Sequence, residues 1–123
     1  VTHDIGVAVE VADRIAVMYG GRIVEMGSCA TVIRNPAHPY TRGLLASRAG
    51  HAAQKGSRLV AIPGAPPDLA NLPPGCSFAP RCAEAIEQCR TIVPEAVSID
   101  RGHFACCIRA AATATAEPAR AIA

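Results

Sequence analysis

The chain has 123 residues, ten acidic and twelve basic side chains and a net charge of +2. That is a length for one domain and a charge too small to mark a nucleic-acid partner. Half the residues are hydrophobic, but much of that share is Ala and the aromatic side chains are only Tyr19, Tyr40, Phe78 and Phe104, so the core is expected to be thin.

The first residues begin without a Met and read as if taken from the middle of a longer domain. Ile5, Ala8, Val9 and Ala12 recur at helical spacing between Asp4 and Asp13, and Asp4 falls where it complements a helix N-terminus. Arg14 to Tyr19 is apolar on both faces, which predicts a strand buried inside a sheet. Gly20 and Gly21 suit a two-residue primed turn, and Arg22 to Met26 is the expected returning strand.

Ser28 then caps a short helix over Cys29 to Arg34, stopped at Asn35-Pro36. A second helix starts at Pro39, with Leu44 and Leu45 on its buried side. Ala49 to Ser57 is polar and without periodicity, so residues 49–62 are read as a linker. Five prolines and a glycine lie between Pro63 and Pro74, a composition that runs extended over a surface. The tail after Arg109 is low in complexity and expected to be disordered.

No N-terminal stretch joins a basic flank, an apolar run and a cleavage site, and nowhere do about 18 apolar residues follow one another. The reading is therefore cytosolic, a compartment that keeps thiols reduced and favours metal-bound over disulfide-bonded cysteine. An oxidising setting would allow six cysteines about 15 pairings, among which sequence does not choose.

Cys76, Cys82, Cys89 and Cys106 form the pattern C-x5-C-x6-C-x16-C. Structural zinc sites usually hold ligands as C-x2–4-C, because two sulfurs about 2.3 Å from one ion lie close together. On one continuous helix Cys82 and Cys89 would stand about 10.5 Å apart along the axis. A cubane offers irons at separated corners and accepts wider spacing, which favours an iron–sulfur cluster. Unliganded thiols are the plain alternative. Cys107, beside Cys106, is a competing fourth ligand, and Cys29 is read as a small buried apolar residue. Arg81 either compensates the charge of such a cluster or is merely solvated.

Three blocks now carry a resemblance: THDIGVAVEVADRIAVMYGGRIVEMG, NPAHPYTRGLL, and IPGAPPDLANLPPGCSFAPRC with the later CR and GHFAC. The chain resembles the C-terminal part of the ATP-binding subunits of oligopeptide and dipeptide ABC importers, over roughly residues 1 to 107. The phosphate loop GxxxxGK[ST], the signature motif and the acidic magnesium-binding strand do not occur in it, so this chain is not expected to hydrolyse ATP alone.

The resemblance implies that His3 is the switch histidine contacting the γ-phosphate of ATP, a place where a donor is needed. It also implies ATP and Mg²⁺ in the full-length context, and a [4Fe–4S] cluster on Cys76, Cys82, Cys89 and Cys106, with Cys106 selected by counting from His103. Asp4 is read as a helix-start charge, with contact to the partner ATPase subunit as a second role. His38, Pro39, Tyr40 and Thr41 are read as a rigid helix start with Tyr40 packed beneath it, opening a docking extension.

The implied partners are a second ATP-binding subunit and transmembrane permease subunits, with no nucleic acid, on the cytoplasmic face of the inner membrane. The expected fold is α+β: residues 1–48 as the end of an ABC ATPase domain, 49–62 a linker, 63–109 an irregular Pro/Cys-rich extension and 110–123 a tail. The competing function is a stand-alone metal-binding or redox-sensing module. A disulfide-bonded extracellular domain is a third reading.

Overall fold

A computed structural model describes residues 1–52 and 62–111. The chain opens with helix α1, Ile5–Val11, whose N-cap is Asp4: one carboxylate oxygen accepts from the amides of Gly6 at 2.8 Å and Val7 at 3.4 Å. This satisfies two donors that a helix start otherwise leaves unpaired. Ala8, Val9 and Ala12 lean on the core.

Strands β1, Arg14–Tyr19, and β2, Arg22–Ser28, form an antiparallel hairpin. Gly20 and Gly21 turn the chain at φ of 59° and 77°, a pair of left-handed conformations that side chains resist. The expectation that β1 is buried on both faces is corrected. Ile15, Val17 and Tyr19 face the core, whereas Arg14, Ala16 and Met18 are exposed and the strand lies at a sheet edge. Apolar residues on both sides made the strand look interior, but the side chains follow plain two-residue alternation with one face open.

Val17 pairs with Glu25 and Met18 with Ile23, so Val24 is one extra residue on β2. Such a bulge bends the strand and re-aims its side chains. Val24 and Glu25 are both buried next to it.

Ser28 caps helix α2, Cys29–Arg34, through a 3.1 Å bond from the Thr31 amide, and the helix stops at Asn35. Cys29 is buried as expected. Helix α3 spans Pro39–Ala52. It therefore continues into the stretch that the sequence reads as a linker; residues 53–61 lie outside the described ones. The Pro-rich run crosses the surface, mostly exposed and without regular structure.

Beyond it the chain departs from expectation. The extension is not irregular throughout: after 3-10 turns at Ala79–Arg81 and Glu87–Arg90 it forms β3, Val97–Asp100, and β4, His103–Ala105, followed by α4, Ile108–Ala111. Strand β4 pairs with β2, giving one antiparallel sheet in the order β1-β2-β4-β3. The remainder of the tail, 112–123, lies outside the described residues. The fold is thus α+β, but its sheet is built from both ends of the chain.

One core cluster joins Ile15, Val17, Tyr19, Val24, Val32 and Phe78. Tyr19, Tyr40 and Phe78 meet edge to face or tilted, with centroids 4.6 to 5.4 Å apart. Three of the four aromatic rings therefore tie hairpin, α3 and extension together, where such contacts are favourable.

Candidate functional site

The site is best built outward from Glu25, which is 0% exposed. Its Oε1 accepts from the Ala37 amide at 2.8 Å and from His103 Nε2 at 2.6 Å, and its Oε2 accepts from the His38 amide at 2.9 Å. Burial pushes the Glu25 pKa up, but these bonds outweigh it and hold the carboxyl below its ordinary value of 4.5. The nearby Thr41 hydroxyl adds to this without a geometrically complete hydrogen bond. One carboxylate thus fastens the entry of α3 to β2 and, through His103, to β4.

Sequence reading missed Glu25. The available signal is a single acidic residue inside an otherwise apolar strand, where a charge is retained only if it is paired.

His38 precedes Pro39 and caps α3 from its own side chain: Nδ1 accepts from the Tyr40 amide at 3.0 Å. The ring is 1% exposed. Burial, partly opposed by the Glu25 charge and aided by Arg42, pushes its pKa down to about 4. The reading of HPYT as a rigid helix start over a packed Tyr40 agrees with this geometry.

Beneath that helix start lies a cavity walled by Cys76, Cys82, Cys89 and Cys107, with His38 and Phe78. It leaves about 20 Å³, enough for a single water, so the walls must part for anything larger. Cys76 is held by a 2.8 Å bond from its amide to the Cys89 carbonyl. The adjacent Gly75 leaves room for this contact, since a Cβ there would collide with that carbonyl oxygen. Cys82 closes the first 3-10 turn, and Cys89 lies in the second. Arg42 on α3 pairs with Glu84 at 2.9 Å, bracing the loop between them.

Burial raises the Cys76 pKa; the amides of Phe78 and Ala79 pull it down, and the neighbouring Cys89 and Cys107 raise it again. Cys82 is likewise raised, first by burial. Thiols in this setting stay protonated until a metal takes them. Among the described residues, no three His, Cys, Asp or Glu side chains are arranged around a point as a single-ion site would require. The six cysteines are free thiols.

Cys106, the residue chosen by counting from His103, does not line this cavity. Its amide donates to the Val24 carbonyl and its thiol to the Ile23 carbonyl at 3.5 Å. It borders instead a second cavity with Arg22, Leu72 and Val93. Cys107 takes the inward place because neighbouring residues leaving a strand point to opposite sides.

The model of the oligopeptide/dipeptide transporter C-terminal region matches residues 24–89, from the Glu25 strand through the third cysteine. The chain belongs to that transporter family. A peptide import ATP-binding protein of Brucella melitensis biotype 1 is 53% identical over 114 residues, covering 89% of this chain and 34% of that protein. The oligopeptide transport ATP-binding protein OppD of Mycobacterium tuberculosis is 51% identical over 109 residues, 89% of this chain and 18% of its own. The dipeptide transport ATP-binding protein DppD of Caldanaerobacter subterraneus subsp. tengcongensis is 49% identical over 107 residues, 86% and 32%. The chain spans about a third or less of the length of these transporter-family relatives.

His3 stands exposed ahead of α1 and is not among the residues of the cysteine cavity. Asp4 is engaged as the cap of α1, the role read for it from sequence. Arg81 is not merely solvated: its guanidinium donates to the carbonyls of Pro63 and Ile62 at 3.0 and 3.2 Å and reaches the Tyr19 hydroxyl at 3.4 Å. It pins the Pro-rich run to the hairpin. Among the described residues no helix is long and apolar enough to cross a membrane.

Proposed function

We propose that this chain is the C-terminal part of the ATP-binding subunit that energises peptide import by an ABC transporter. The observation that carries the reading is the match of residues 24–89, from the second hairpin strand through the HPYT helix to the third cysteine, to the transporter family; in this chain hairpin, helix and cysteine loop meet in one aromatic cluster. That shared construction also disfavours a cysteine module standing on an unrelated scaffold.

His3 is assigned to the γ-phosphate of ATP and Mg²⁺ bound by the preceding part of the subunit, where an imidazole donor stabilises the transferring group. Its exposure leaves the ring free to meet such a ligand. Closure on ATP would bring two such subunits together at the cytoplasmic face of the inner membrane, with permease subunits converting the cycle into transport. In the full-length subunit, His3→Ala is expected to lower ATP turnover at least tenfold; unchanged turnover would remove the role.

The cysteine cavity is assigned to a [4Fe–4S] cluster held by Cys76, Cys82, Cys89 and, in place of Cys106, Cys107. Four soft donors on irregular backbone, the Ile86 amide donating to the Cys89 sulfur at 3.5 Å, and a buried imidazole without a partner for Nε2 all suit such a group. When bound, it supplies cross-linking of the loop and a one-electron couple. The protein's own part is to exclude water through Phe78 and the α3 entry and to hold Cys76 against Cys89 by their backbone bond. Iron and labile sulfide analysis of anaerobically isolated full-length subunit tests this, and colourless, zinc-loaded protein would overturn it.

A further inference from the structure

His38 carries an unused donor. Because Nδ1 accepts the Tyr40 amide, the ring's proton sits on Nε2, and that atom is buried without any partner. A buried donor left unmade is costly, and His38 lines the cavity together with the four cysteines Cys76, Cys82, Cys89 and Cys107, beside Glu84 and Arg109. The ring is also fixed rather than free to turn. Its backbone amide is held by Glu25 and its face lies 5.8 Å from Phe78, centroid to centroid.

We propose that His38 is a positioning and tuning residue of the cysteine site, donating its Nε2–H to a sulfur of the cluster and its thiolate ligands. The proposal rests on the cluster assignment above. A hydrogen bond to sulfur withdraws electron density and favours the reduced form, so the residue that starts α3 also sets the redox equilibrium beneath it.

The experiment uses full-length subunit isolated anaerobically, with ¹⁵N label in histidine only. In the reduced wild type, pulsed EPR is expected to show a ¹⁵N coupling to the cluster that His38→Gln abolishes. Redox titration is expected to show about a tenfold shift of the reduction equilibrium toward the oxidised form in His38→Phe, about 59 mV for one electron. His38→Gln, which keeps a side-chain acceptor and a donor, should stay nearer the wild type.

A wild-type spectrum without histidine coupling overturns the proposal, however well either variant folds. Equal potentials in wild type and His38→Phe overturn it as well. Wild-type protein lacking iron and sulfide removes the cluster assignment first and this proposal with it, so the two failures are told apart by elemental analysis of one sample.

Discussion

Replacing Glu25 by Ala would test the joint on which the architecture turns. The substitution strands three donors at once: His103 Nε2 and the amides of Ala37 and His38. Each buried orphan costs about 1–3 kcal/mol. The terms overlap, so about 3–5 kcal/mol is expected in total, or a fall in Tm of about 10 °C. Thermal unfolding of the full-length subunit measures it, with Glu25→Ala, His103→Ala and the double variant forming a cycle. A coupling of at least about 1 kcal/mol is expected from direct contact. Glu25→Gln should fall between, since its amide keeps one acceptor oxygen but turns an NH₂ toward a backbone N–H. A Glu25→Ala protein as stable as wild type, or a cycle without coupling, would refute the reasoning.

Acid should weaken the fold in two stages. His38 titrates near 4 in the folded chain against 6.5 ordinarily, so the unfolded state binds the proton first and roughly 3 kcal/mol is lost between those values as pH falls. Glu25, depressed below 4.5, contributes stability that is present above that value and lost as pH falls through its lower folded pKa; urea midpoints at pH 7, 5.5 and 4 follow both stages, and a flat profile would contradict them. Gly75→Ala puts a methyl into the Cys89 carbonyl and should cost about 1–3 kcal/mol as overpacking, with loss of iron from the isolated protein; wild-type iron content would show that the loop tolerates it. Cys107→Ser should lower iron content sharply while Cys106→Ser leaves it near wild type, and the reverse result would restore Cys106 as the fourth ligand.

The local signals were legible where one residue type meets one backbone requirement. Gly20-Gly21 specified the hairpin turn, Ser28 and Asn35-Pro36 bracketed α2, and Asp4 marked the start of α1. Signals that depend on a distant partner were not. His103–Ala105 is three residues long and becomes a strand because β2, some eighty positions earlier, offers it an edge. Glu25 reads as a surface residue until the amides of Ala37 and His38 arrive. The exposure of Ala16 and Met18 depends on which face of the sheet is covered, and hydropathy does not carry that. Spacing brought Cys76, Cys82 and Cys89 into one group, but Cys106 and Cys107 differ by a single step, and only the direction in which the chain leaves β4 separates them.

The pairing of β4 with β2 also bears on shortened forms of the polypeptide. A stop codon or a proteolytic cut before Val97 would strip the neighbour from β2 and bare a row of backbone donors and acceptors beside an ionised carboxylate that has lost its imidazole. Unsatisfied strand margins recruit other chains, so the truncated species should self-associate and be cleared as misfolded, and a late nonsense mutation would behave as a loss of the whole subunit.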